Sequence, residues 1–222
     1  MHIFPRSHQD RQPRITMEPK ERLNVPPLSF FEDPSVNSTH MVKQCSWDEF
    51  GENEQNQQRI AIFIDGANLF YAAMQLNLEI DYTKLLRFLT KGRQLLRAYF
   101  YTGVDYTNEK QQGFLLWMSR NGYRVVKKEL AQLPNGAKKA NLDVEIAVDM
   151  ITLAKYCNTL VLLSGDGDLA YAVNAVAYRG VQIEVVGLGS MTSESLISVA
   201  DCYTDLEVIK QDIQKTKLNN TR

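Results

Sequence analysis

From Arg59 onward, apolar residues fall in short runs separated by stretches of helical spacing, whereas the first 58 residues show no period. Ile60–Ile64 is continuous and apolar, too short for an amphipathic helix, and predicts a buried strand. Leu95–Tyr101, Tyr123–Lys127, Thr159–Leu163 and Val181–Val186 predict further strands, and Leu206–Ile209 a last edge strand. Helices are predicted over Leu69–Leu76, Tyr82–Leu89, Asn108–Arg120, Leu142–Lys155, Leu169–Tyr178 and Ser193–Val199, with Asn121-Gly122 and Arg179-Gly180 as stops. Ala131–Lys139, holding Pro134, Asn135 and Gly136, reads as a loop. Strands separated by helices require crossover connections. The expected fold is a three-layer α/β sandwich with a mainly parallel, Rossmann-like central sheet. Such sheets bind ligands at the carboxyl ends of their strands, where strand order reverses.

The chain divides into a flexible N-terminal tail over 1–58, a domain over 59–209 and a polar C-terminal tail over 210–222. Six of the seven prolines lie at or before Pro34, and 1–58 carries six basic and nine acidic residues. Such a segment buries too little apolar surface to offset its ordering entropy. Leu28, Phe30 and Phe31, with Trp47 and Phe50, are candidates for docking on a protein partner or on the domain itself; self-association stays open. The net charge of −1 argues against a protein that coats nucleic acid electrostatically. Cys45, Cys157 and Cys202 have no CxxC spacing, which gives no zinc site and no obvious disulfide framework. With neither a signal-peptide pattern nor an apolar run near the roughly 18 residues a bilayer requires, a cytoplasmic protein with no membrane association is expected.

Candidate chemistry lies in four aspartates. Asp65 closes the first strand; Asp166 and Asp168 follow another in Ser164-Gly165-Asp166-Gly167-Asp168; Asp143 opens a helix. Each acid taken singly is equally well read as a helix cap or turn residue. Taken together, they would converge on one edge of the sheet, where neighbouring carboxylates repel unless a cation joins them. An oxygen-rich, nitrogen-free site suits Mg²⁺ or Mn²⁺. Asn68, Ser164, Lys138 and Lys139 are candidates for orienting a carboxylate or contacting a backbone phosphate. Each has a plainer alternative as a first-turn, turn-shaping or solvated residue. Asp149 lies six positions beyond Asp143, about 240° around a helix, and is placed second, as an outer acid. Asp105 is a rim or surface-turn residue. Lys127, Lys128, Arg120 and Arg124 could add phosphate contacts. Tyr71, Tyr101 or Tyr123 could stack on bases, with core packing the plainer reading.

Other chemistries are poorly supported. His2, His8 and His40 all lie in the tail, so histidine general-base schemes have no residue in the domain. No GxGxxG follows the first strand and no P-loop is present; Gly187-Leu188-Gly189 is a lone GxG. A phospho-aspartate enzyme would usually carry a second acid two residues after Asp65, where Ala67 stands.

Three strings, Phe63-Ile64-Asp65-Gly66-Ala67-Asn68, Lys139 to Asp149 and Ser164 to Asp168, together with Ser195-Leu196 and Ala200-Asp201, resemble the NYN domain. This is a PIN-like, metal-dependent ribonuclease fold, and the match is strongest to its LabA-like branch, known from bacteria. The resemblance implies strand order 3-2-1-4-5, with Asp65, Asp143, Asp166 and Asp168 as metal ligands and catalytic residues, and Asn68 as a site residue. Lys139 matches a family lysine. Ala140 stands where glycine is frequent and Leu169 where phenylalanine often follows; neither replaces a ligand. The expected activity is divalent-metal-dependent hydrolysis of RNA, with single-stranded RNA as partner. The alternative is a non-catalytic RNA- or nucleotide-binding regulator of gene expression.

Overall fold

The computed structural model describes residues 58–132, 136 and 138–216. Residues 1–57 of the expected tail over 1–58, with its apolar clusters, and the turn residues Pro134 and Asn135 lie outside the described residues.

The run at Ile60–Ile64 forms the middle of strand β1 (Arg59–Asp65), and its side chains alternate between two buried faces. Helices α1 (Gly66–Gln75) and α2 (Tyr82–Thr90) lead to β2 (Gln94–Val104), which pairs parallel to β1. Helix α3 (Glu109–Arg120) leads to β3 (Tyr123–Glu129), parallel to β2. The chain then crosses to the other side of β1. Helix α4 (Asp143–Leu153) precedes β6 (Thr159–Leu163), which pairs parallel to β1; α5 (Ala170–Ala177) leads to β7 (Gln182–Gly187), and α6 (Glu194–Val199) to β8 (Cys202–Asp205). The six-stranded sheet is ordered β3-β2-β1-β6-β7-β8. Counting only its own strands, this is the expected 3-2-1-4-5 with a sixth strand added.

Ile60, Ile62, Ile64, Phe100, Val161 and Leu163 face one way, onto Leu69 of α1, Leu85 and Leu89 of α2 and Leu115 of α3. Ala61, Phe63, Tyr101, Leu160, Leu162 and Ile183 face the other way, onto Ile146 and Met150 of α4, Val173 of α5 and Leu196 of α6. Burial on both faces explains why these strands read as continuous apolar runs.

Three expectations change. Within Ala131–Lys139, β4 (Ala131–Gln132) and β5 (Lys138–Lys139) pair antiparallel, a hairpin too short to leave an alternating pattern. The last strand is β8, four residues earlier than Leu206–Ile209. Leu206 and Ile209 instead belong to a turn from which they are buried in the core, while Cys-Tyr-Thr-Asp at the sheet edge lacks an apolar run. The expected C-terminal tail from 210 first forms α7 (Lys210–Ile213), where Ile213 is buried and accepts from Asp81 N–H at 2.8 Å. Cys157 is buried and free. No helix among the described residues is long and apolar enough to cross a membrane.

Candidate metal centre and its surroundings

Strand order reverses between β1 and β6. The last residue pair of their ladder is Ile64 with Leu163, so Asp65 and Ser164 leave the sheet side by side. Asp65 is the N-cap of α1. Its Oδ1 accepts from Ala67 N–H at 3.0 Å and Asn68 N–H at 3.1 Å, which starts the helix at Gly66 rather than at Leu69. Its Oδ2 accepts from the Ser164 hydroxyl at 3.2 Å, and Ser164 Oγ accepts from Asp166 N–H at 3.1 Å. The buried Ser164 thus ties the end of β1 to the turn after β6.

That turn is a short 3₁₀ segment, Gly167–Leu169, capped by Asp166, whose Oδ1 accepts from Asp168 N–H at 3.0 Å. Asp143 comes from the start of α4, where Asn141 Oδ1 takes its N–H at 2.9 Å. Asp143, Asp166 and Asp168 each present one carboxylate oxygen, and these oxygens all lie within 4.8 Å of one another. Burial first, then the charges of Asp166 and Asp168, raise the Asp143 pKa, against Asn141 and Lys139, which lower it. Burial is also the main cause of the raised Asp65 pKa; its hydrogen bonds oppose this and the Asp143 charge adds to it. Asp65 is therefore an electrostatic neighbour of the cluster rather than one of its three converging carboxylates. The cluster offers only oxygen donors, a set that fits a hard divalent cation such as Mg²⁺ or Mn²⁺.

The other candidates separate by what they touch. Asn68 is half-buried in the first turn of α1, beside Asp65. Lys139 is exposed, and its charge acts on Asp143. Lys138 instead pairs with Asp105 at 2.6 Å and holds that carboxyl well below the usual range. Lys128 pairs with Glu145 at 2.7 Å and donates to Asn141 O at 2.8 Å, bracing the approach to α4. Asp149 accepts from the Tyr101 hydroxyl at 2.8 Å and is not among the three converging acids. Tyr101 and Tyr123 are buried, which leaves Tyr71 as the exposed one of the three tyrosines. Arg124 lies over the Tyr99 ring, and Arg120 and Lys127 are exposed. Asp201 accepts from Ile183 N–H at 2.6 Å, so this acid of the fourth matching string holds the start of β7. Sequence reasoning missed Asn141, whose Asn-x-Asp spacing is a local capping signal, and Ser193, which packs beside Gly167.

The NYN domain family model matches residues 59–207. Among curated proteins, the chain is 35% identical over 167 residues to the Low amplitude and bright protein LabA of Synechococcus elongatus, covering 72% of this chain and 89% of that protein. Among solved structures, it is similar to a protein of unknown function from Vibrio parahaemolyticus, with TM-score 0.63 and 26% identity, covering 72% of this chain and 98% of that one. These matches support an RNA-related function and, at the level of the family, a hydrolase. The chain belongs to the NYN domain family, in its LabA-like branch.

Proposed function

We propose that the protein is a divalent-metal-dependent ribonuclease that hydrolyses single-stranded RNA at the Asp143–Asp166–Asp168 cluster. The observation that carries this reading is the convergence of three carboxylate oxygens within 4.8 Å at the carboxyl edge of the sheet, beside the reversal of strand order. Bound Mg²⁺ or Mn²⁺ would supply a lowered water pKa and neutralisation of charge growing on the phosphate. Asp143, Asp166 and Asp168 would hold the cation. Asp65, with both carboxylate oxygens hydrogen-bonded, sets the start of α1 and the position of Ser164. Ser164 fixes the Asp166 backbone, and Asn68 borders the same edge. Lys139, exposed and acting on Asp143, is the proposed contact to an RNA phosphate, whereas Lys138 is available only by leaving Asp105. Water's oxygen joins phosphorus, one P–O bond breaks, and the leaving oxygen takes a proton.

Asp168→Asn is expected to abolish Mn²⁺-dependent cleavage of a labelled single-stranded RNA while the fold is kept. Cleavage at the native rate by that variant rejects the assignment. A non-catalytic regulator would bind Mn²⁺ and RNA without forming product, so the native chain assayed with Mn²⁺ and with EDTA separates the two readings.

A further inference from the structure

The turn that carries Asp166 and Asp168 runs into α5 without a break. The 3₁₀ segment Gly167–Leu169 passes directly to Ala170–Ala177, and Leu169 and Ala170 both have right-handed helical backbone. Residues three apart share a face in a 3₁₀ turn and nearly so in an α-helix, so Tyr171 follows Asp168 on one face, one turn on. Tyr178, seven residues further and still helical in φ and ψ, returns to that face about 10 Å along the axis. Tyr171 is 85% exposed and Tyr178 84%, and no other large apolar side chain among the described residues exceeds 69%. Rings so placed add almost nothing to the core.

The surroundings of these rings favour a polyanion. Ala170–Gly180 contains no acid. On neighbouring α4, the carboxylates beyond Asp143 are engaged, Glu145 by Lys128 and Asp149 by the Tyr101 hydroxyl. Arg179, next to Tyr178, is exposed and places one of its five N–H groups on Ile151 O. Its planar guanidinium suits a phosphate. Between the rings stand Asn174 and Ala175, both half-buried. A protein partner gripping a helix face would want apolar anchors at every turn. Two separate rings suit nucleic-acid bases, each of which offers a flat π-face whatever its identity.

We infer that Tyr171 and Tyr178 are a base-stacking platform along which single-stranded RNA leaves the acid site, with Arg179 at a backbone phosphate. The inference rests on the ribonuclease reading and adds to it the path of the substrate and the part of each nucleotide that is gripped.

The test uses the full chain with Tyr171→Ala, Tyr178→Ala, Tyr171→Phe and Tyr171→Leu. The probes are a fluorescein-labelled oligouridine and an abasic oligomer of the same length and charge. Affinity is read by anisotropy with Ca²⁺ in place of Mn²⁺, KM by cleavage with Mn²⁺, and Mn²⁺ affinity by calorimetry. Each alanine variant is expected to weaken oligouridine binding and raise KM about tenfold, the loss of one stacked base. Tyr171→Phe should bind as the native chain does, and Tyr171→Leu as the alanine variant does. The abasic oligomer should bind native and alanine chains alike, and Mn²⁺ affinity should not change. Oligouridine affinity within twofold of native in both alanine variants overturns the inference and leaves the ribonuclease reading standing. So do equal losses on the two oligomers, native binding by Tyr171→Leu, or a native dimer in sedimentation that Tyr171→Ala dissociates, which would give this face to a second copy of the chain. A native chain that binds oligouridine without cleaving it rejects the ribonuclease reading, and the anisotropy comparison still decides the platform. A native chain that does neither overturns both.

Discussion

Neutralising Asp143 should stabilise the metal-free protein, and the size of the effect follows from the cluster. Its carboxylate oxygen lies within 4.8 Å of one oxygen each on Asp166 and Asp168. At that distance like charges repel by about 1 kcal/mol per pair under water-like screening, and by about 3 at an effective dielectric near 20. Asp143 and Asp166 are half-buried and Asp168 is exposed, so the lower figure applies. Asp143→Asn removes both repulsions, about 2 kcal/mol in all, and forfeits about 0.5 kcal/mol of favourable charge at the α4 N-terminus. A net gain of about 1.5 kcal/mol raises Tm by about 3–6 °C in a domain of this size. Mn²⁺ at about a hundred times its Kd stabilises the native chain by about 2.7 kcal/mol, and the variant should lose most of that. Differential scanning calorimetry in EDTA and in Mn²⁺ reads both effects. A lower Tm for the variant in EDTA, or equal Mn²⁺ stabilisation of both proteins, would refute the account of the cluster.

Two further outcomes follow from ion pairs outside the cluster. Arg93 donates to both oxygens of the buried Glu184, at 2.5 and 3.1 Å, so Arg93→Met should cost about 3–5 kcal/mol by urea denaturation at neutral pH, the typical penalty for an orphaned buried charge. Burial raises the Glu184 pKa against the opposing charges of Arg93 and Lys91, so its contribution to stability is full below the ordinary glutamate range and lost as pH rises through the raised value. Removing Arg93 raises that pKa further, and the variant's deficit should shrink as pH falls; a deficit independent of pH counts against the pair. Asp105→Asn should tighten RNA binding by releasing Lys138, and Lys138→Ala should then lower the salt slope by about 1 in that background only. Equal effects of Lys138→Ala in both backgrounds would mean that Asp105 does not restrain it.

How far the sequence could be read depended on whether the signal was local. Thr159–Leu163 was legible to the residue because a central strand buried on both faces leaves a continuous apolar run, here Leu160–Leu163 after Thr159. β8 was misplaced because an edge strand tolerates Thr204 and Asp205, while Leu206 and Ile209 mimic a strand although they fill the core from a turn. The acid cluster was half legible. That Asp143, Asp166 and Asp168 converge follows from strand-end positions and crossover topology, both of which leave local marks. The engagement of Asp65 does not, because Ser164, 99 residues away, takes its second oxygen. Lys138 and Lys139 are adjacent and chemically alike in the sequence. They differ in the fold because β5 brings Asp105, 33 residues away, to Lys138 while Lys139 acts on Asp143. Pairing across such separations is set by strand register and helix placement, to which each residue contributes little. The sequence can therefore nominate the charged groups of a site, but which of them stay free to meet a ligand is decided by the assembled sheet.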